Sequence, residues 1–166
     1  MNPRVLKKEG FKHLDRVIDL CAQQGIYTIL DLHTAPGGQN TDWHSDNGTH
    51  IAHFWIHKDF QDRTIWLWTE LAKHYVGNKW IAGYNPLNEP TDPTHTAVVG
   101  FYERVYDAIR AVDTEHVIYF DGNTFASDFS HFGDVHEKWA NTAYSIHGKN
   151  APGWHHRASH SLSRSR

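Results

Sequence analysis

Short apolar runs rich in strand formers alternate along this chain with amphipathic helical segments, and no other feature limits the fold as strongly. The runs occupy residues 26–32, 81–87, 117–121 and 142–147. Phe11, Leu14, Val17, Ile18 and Cys21 recur at helical spacing before the first run, with Gly25 as a C-terminal stop. Ile65, Trp66, Trp68, Leu71, Ala72 and Tyr75 form the next such face, closed near Gly77, and Val98, Tyr102, Val105, Tyr106, Ile109 and Val112 form the third. Asn2 before Pro3, Asp59, and Asp92 before Pro93 read as helix starts. Helices alternating with strands over short links predict β/α units, right-handed crossovers and a parallel sheet. The almost unbroken apolar run 26–32 predicts a strand covered on both faces. About four parallel strands with covering helices make half of an eight-stranded barrel or one small open sheet, and periodicity fits either. At 166 residues the chain is short for a whole barrel, which needs about 250.

Composition removes several function classes. A net charge of −3 argues against a nucleic-acid protein held by a basic face, although fifteen histidines make that charge strongly pH-dependent. The single Cys21 excludes an internal disulfide framework and a cysteine zinc site, and its place in an apolar pattern predicts a small buried side chain. No apolar run approaches the roughly 18–20 residues that span a bilayer, and the N-terminus carries no signal-peptide core. As written, the chain is expected to stay in the cytoplasm where it is made, with a secreted parent protein as the other case. There is no Gly-x-Ser-x-Gly elbow and no phosphate-cradling loop, so neither a serine hydrolase nor a nucleotide cofactor is expected. Seven tryptophans suit an aromatic-lined cleft.

Each strand run ends in groups that can do chemistry: Asp31 and His33, Asn88 and Glu89, Asp121, and His147. In a parallel α/β sheet the C-terminal strand ends meet on one face, where ligands bind. His33, Glu89, Asp121 and His147 are therefore expected to project toward one cleft. Glu89, between an apolar strand and Pro90, is the sharpest candidate for a general acid, with Asn88 beside it to donate to a ligand hydroxyl. Spacing alone equally allows Glu89 to pair with a cation or to accept backbone N–H groups at the next helix start. Glu103, Glu115 and Glu137 are expected to face solvent.

Asn88-Glu89-Pro90 at a strand end, Leu30-Asp31-Leu32-His33 followed by Ala35-Pro36-Gly37-Gly38-Gln39-Asn40, and Tyr144-Ser145-Ile146-His147 together resemble glycoside hydrolase family five, closest to its fungal β-glucanase-like members. The resemblance runs from about Asn2 to His147. It implies a partial (β/α)8 barrel that hydrolyses O-glycosyl bonds in β-linked glucans or related β-glycosides with retention. Glu89 matches the family's acid/base glutamate, Asn88 the neighbour that binds the sugar 2-hydroxyl, and His33 and His147 the histidines lining the cleavage subsite. Trp43 is assigned to sugar stacking from its residue type. The strands correspond to the family's third to sixth, so the nucleophile strand falls after Arg166, and the chain is expected to be a catalytic-domain piece (1–147) with an irregular tail (148–166). Half a barrel also implies two open edge strands and a marginal fold. Where the family continues past His147 toward an aromatic residue, this chain has Gly148-Lys149-Asn150.

Two other readings are weighed. His53 and His57, four apart with His44 and His50 nearby, could share a metal, but Phe54 stands where a His-Glu-x-x-His protease has its glutamate. No metal and no cofactor is assigned. The second is a carbohydrate-binding domain without catalysis. Asn47-Gly48-Thr49 fits a glycosylation pattern and is read as a plain turn.

Overall fold

A computed structural model describes residues 4–148. The helix start read at Asn2–Pro3 and the tail beyond Gly148 lie outside them. Helix α1 (Lys8–Gln23) ends ahead of Gly25, whose φ of 71° is the left-handed turn conformation glycine adopts without strain. Strand β1 (Thr28–Asp31) follows, then a long loop holding a 3-10 turn (Trp43–Ser45) and one turn of helix, α2 (His53–Ile56). Helix α3 (Lys58–Tyr75) leads to β2 (Ile81–Asn85), α4 (Ala97–Arg110) to β3 (Val117–Asp121), and two single turns, α5 (Asn123–Ala126) and α6 (Val135–Lys138), to β4 (Thr142–Ser145).

All neighbouring strands pair in parallel, in the order β1-β2-β3-β4. Strand order that never reverses is the arc of a barrel, since a doubly wound sheet changes direction at a switch point. Side chains alternate along β3: Ile118 and Phe120 are fully buried toward the helices, while Asp121 turns to the other face, beside Asn85 of β2. The core lies between the sheet and helices α3 and α4, built from Trp68, Tyr84, Phe101, Tyr102, Ile109 and Phe120 among others. Gly83 permits close strand pairing, because a β-carbon there would collide with the Val117 carbonyl.

Several local expectations need correcting. Strand β1 is not covered on both faces: Leu30 packs against the core, while Ile29 on the opposite face is exposed, as no element of the described residues lies over that side of β1. The apolar face of α1 is likewise open at Val17 and Leu20, and Cys21 is only half-buried. The cap of α3 is His57, and Asp59 sits in the first turn, paired with Arg63 at 3.0 Å. Helix α4 starts later than Pro93 suggests, yet Asp92 still caps it from a distance, its Oδ2 accepting the Ala97 and Val98 N–H groups. Among the described residues, no helix is long and apolar enough to cross a membrane.

At the opposite end of the strands, Asp113 organises the entry to β3. Its Oδ1 accepts the Glu115 and His116 N–H groups, and its Oδ2 accepts the Tyr84 hydroxyl at 2.8 Å and meets His116 Nδ1 at 2.5 Å. His116 Nε2 donates to the Asn78 carbonyl, tying β2 to β3. Burial works against the Asp113 charge, but these donors outweigh it and hold its carboxyl below the usual aspartate value of 3.8. A folded value below the unfolded one means that Asp113 stabilises the fold fully above the ordinary value, and that this contribution is lost as pH falls through the lower folded one. Asp113→Ala takes the acceptor from the buried His116 N–H and one of two partners from the Tyr84 hydroxyl, whose other is His116 Nδ1, at about 1–3 kcal/mol per unsatisfied group. Urea unfolding at pH 7 is expected to show that deficit, and at pH 3 the gap between variant and parent narrows. A gap independent of pH would contradict the role of the charge.

Candidate active site

Two loops following the strands are stitched together by buried amides. Gln39, fully buried, accepts the Ala35 N–H and donates from Nε2 to the carbonyls of His33 and Asn88. Asn40, equally buried, donates to the Glu89 carbonyl at 2.9 Å, and the Trp55 indole donates to the Gln39 carbonyl. Gly37 and Gly38 make the turn that lets these amides approach, both at positive φ, and a β-carbon on Gly38 would strike Asn47. Asn47, in the turn with the glycosylation pattern, is itself buried and donates to the carbonyls of Asn40 and Ile51.

Glu89 is gripped from every side. Its N–H donates to Asp121 Oδ2 at 2.9 Å and its carbonyl accepts from Asn40. Its carboxyl, with a side chain 12% exposed, meets His147 Nδ1 at 2.9 Å through Oε1 and His44 Nε2 at 3.1 Å through Oε2. The backbone of Glu89 takes a φ of 47°, and Thr124, Phe125 and Ala126 are left-handed as well. Such conformations store strain, and strain gathers where surrounding contacts hold a functional group in place. The α5 turn does hold one: the Ala126 carbonyl accepts the His147 N–H, and the Phe125 N–H donates to the Pro90 carbonyl. Asn88 is buried beside Glu89 and its Nδ2 has no hydrogen-bond partner among the described residues. A buried donor left open costs about 1–3 kcal/mol, so a site of this kind gains by receiving an acceptor from a ligand.

The structure thus brings Asn88, Glu89 and His147 together. His33 stands slightly apart, exposed, with Nδ1 2.9 Å from Asp31 Oδ2 and its ring 5.6 Å from that of His44. Trp43 is 79% exposed on the same loop, edge-on to His44. Asp121 departs from expectation. It does not project into the cleft but is fully buried, one oxygen taken by the Asn85 amide and the other by the Glu89 N–H, with His147 Nε2 3.6 Å away. Burial pushes its carboxyl up, against the pull of the Glu89 N–H, His147 and Asn85. Glu103, Glu115 and Glu137 are exposed as expected. His53 and His57 do share a face, their rings stacked 5.9 Å apart, but among the described residues no three metal-ligating side chains converge. A groove of about 670 Å³ lies away from Glu89, along α1 and its border with α3, where Asp15, Arg16 and His74 line it. Gln39 and Asn40, which the sequence offers only within the resembling segment, and His44, which it offers only as a metal neighbour, are the site residues it does not assign to Glu89. Gly37-Gly38 ahead of two amides was the available signal for the first two, and nothing local marks the third.

The chain is similar to known proteins along most of its length. A family model described as cellulase (glycosyl hydrolase family 5) matches residues 1–158. A β-xylosidase of Phanerodontia chrysosporium is 75% identical over 147 residues, which cover 89% of this chain and 31% of that protein. Endoglucanase C of Acetivibrio thermocellus is 24% identical over 156 residues, covering 93% of this chain and 43% of that protein. Among solved structures, one described as a glycoside hydrolase superposes with a TM-score of 0.69 at 22% identity, over 89% of this chain and 44% of that chain. The chain therefore spans about a third to under a half of the length of these three proteins, and its four strands are an arc of a glycoside hydrolase barrel.

Proposed function

This chain belongs to glycoside hydrolase family 5, and from that premise we propose that it carries the acid/base side of a retaining β-glycosidase centre. The observation that supports this best is the Glu89 carboxyl, held between two imidazoles beside the open Asn88 donor. In the first step the Glu89 carboxyl gives its proton to the glycosidic oxygen as the bond to the anomeric carbon breaks and a carboxylate nucleophile bonds to that carbon. In the second, the Glu89 carboxylate takes a proton from water while the water oxygen displaces the nucleophile. Asn88 Nδ2 binds the sugar 2-hydroxyl, His147 and His33 line the subsite, and Trp43 offers its exposed face to a sugar ring. The substrate class is β-linked glucans or related β-glycosides.

Retention needs a second carboxyl about 5–5.5 Å from the first. Asp121 neighbours Glu89, but it is fully buried with its oxygens engaged, so it does not reach an anomeric carbon. We place the nucleophile in the part of the family's length that this chain does not span, and take residues 1–147 as the catalytic part and 148–166 as a tail. On this view the 166-residue chain binds β-xylo- or gluco-oligosaccharides with little turnover. A chimera carrying residues 1–147 in the matched stretch of the Phanerodontia β-xylosidase is expected to cleave an aryl β-xyloside, with NMR showing the β-anomer first. An inactive chimera that folds and still binds sugar would instead support a carbohydrate-binding domain, the second reading, which the open Asn88 donor and exposed Trp43 also suit.

A further inference from the structure

His44 lies within the loop between β1 and α2 and belongs to no strand end, yet its imidazole faces the Glu89 carboxyl opposite His147. We propose that His44 is a second positioning residue for the acid/base, holding Oε2 so that the Glu89 proton is aimed at the leaving-group oxygen; this rests on the reading of Glu89 as the acid/base. The loop is built to deliver it. Asp42 accepts the Trp43 N–H to start the 3-10 turn, Ser45 Oγ donates to the Asp42 carbonyl, and Asn47 donates to the carbonyl of Asn40, whose own amide holds the Glu89 backbone. The same short polar chain therefore positions both the backbone of Glu89 and the ring beside its carboxyl. The His44 side chain is 14% exposed, and neither ring nitrogen completes a hydrogen bond within the described residues. Nε2 is close to Oε2 at 3.1 Å but not aligned with it. Catalytic hydrogen bonds are often misaligned in the empty site and tighten when substrate binds. Asp42 Oδ2, 3.9 Å from Nε2, is too far to compete.

A positioned donor and a merely structural ring are told apart by leaving group. A general acid matters when the departing oxygen is basic and hardly at all for a dinitrophenolate. In the xylosidase chimera, His44→Phe is expected to lower kcat/KM on xylobiose by about tenfold or more, a share of the roughly 10²–10⁴-fold a positioned acid provides. On the dinitrophenyl xyloside the same variant stays near the parent, and His44→Gln, which retains a donor, recovers part of the loss. Equal losses on both substrates would overturn the proposal. The 166-residue chain gives a readout independent of turnover: the ¹⁵N resonance of His44 Nε2 is expected to move in Glu89→Gln and to stay in place in Glu103→Gln. An Nε2 signal indifferent to Glu89 would also overturn it. Should Glu89→Gln leave xylobiose cleavage intact, the acid/base reading falls instead, whatever His44 does.

Discussion

Glu89→Gln in the xylosidase chimera is expected to reduce kcat/KM on xylobiose by about 10²–10⁴-fold, the contribution of a positioned proton donor. The amide keeps the shape of the carboxyl and can still meet both imidazoles, so the fold is retained and the loss is chemical. It has no proton to give to a leaving oxygen and none to take from water, so the first step fails on poor leaving groups and the second fails on all of them. On an activated dinitrophenyl xyloside the bond still breaks, the glycosyl-enzyme accumulates, and a burst of dinitrophenol precedes slow turnover. Added azide, which needs no general base, is expected to release the intermediate as a glycosyl azide. Glu103→Gln, on the exposed face of α4, serves as the control and keeps full activity. A Glu89→Gln enzyme within a few-fold of the parent on xylobiose would remove Glu89 from the proton transfers.

Trp68→Ala is expected to be the most damaging single change to the fold. The ring is 1% exposed, packs 5.6 Å from the Tyr84 ring, and donates its indole N–H to the Pro86 carbonyl at 2.9 Å. Truncating a buried tryptophan costs about 3–5 kcal/mol through lost transfer energy and the cavity left behind. The orphaned Pro86 carbonyl adds to it. Against a typical domain stability of about 5–15 kcal/mol that is a large share. Because Pro86 lies two residues before Asn88, the chimera is also expected to lose activity while folded. Trp68→Phe keeps most of the buried surface and is expected to fall between. Urea unfolding of the 166-residue chain measures the change, and a midpoint unmoved in Trp68→Ala would show that the α3–β2 contact carries little of the stability.

Reading along the chain located the strands to within a residue or two and named Asn88, Glu89 and His147, which the structure brings together. Asn88, Glu89 and His147 were legible because a strand end followed by a chemically active residue is a local pattern, and a parallel sheet gathers such ends on one face. The same logic misplaced Asp121. Its position at the end of β3 is identical in kind to that of Glu89, but its side chain turns under the Glu89 backbone and is sealed there. No residue next to Asp121 in sequence announces that. Strand β1 was misjudged for a related reason: composition records that a strand is apolar, whereas cover on each face depends on which strands and helices lie beside it.

The sequence by itself determined the alternation of helices and strands, the parallel sheet it enforces, and the family to which Asn88-Glu89-Pro90 and its companions point. These are properties of short-range order and of period, set by side-chain geometry a few residues at a time. Only the tertiary structure decided that His44 faces Glu89, that Gln39 and Asn40 lock the two loops together, and that Asp113, Tyr84 and His116 share one buried network. Most of those contacts join positions far apart in the chain. Their hydrogen bonds depend on tenths of an ångström and on angles that emerge only once the core has packed.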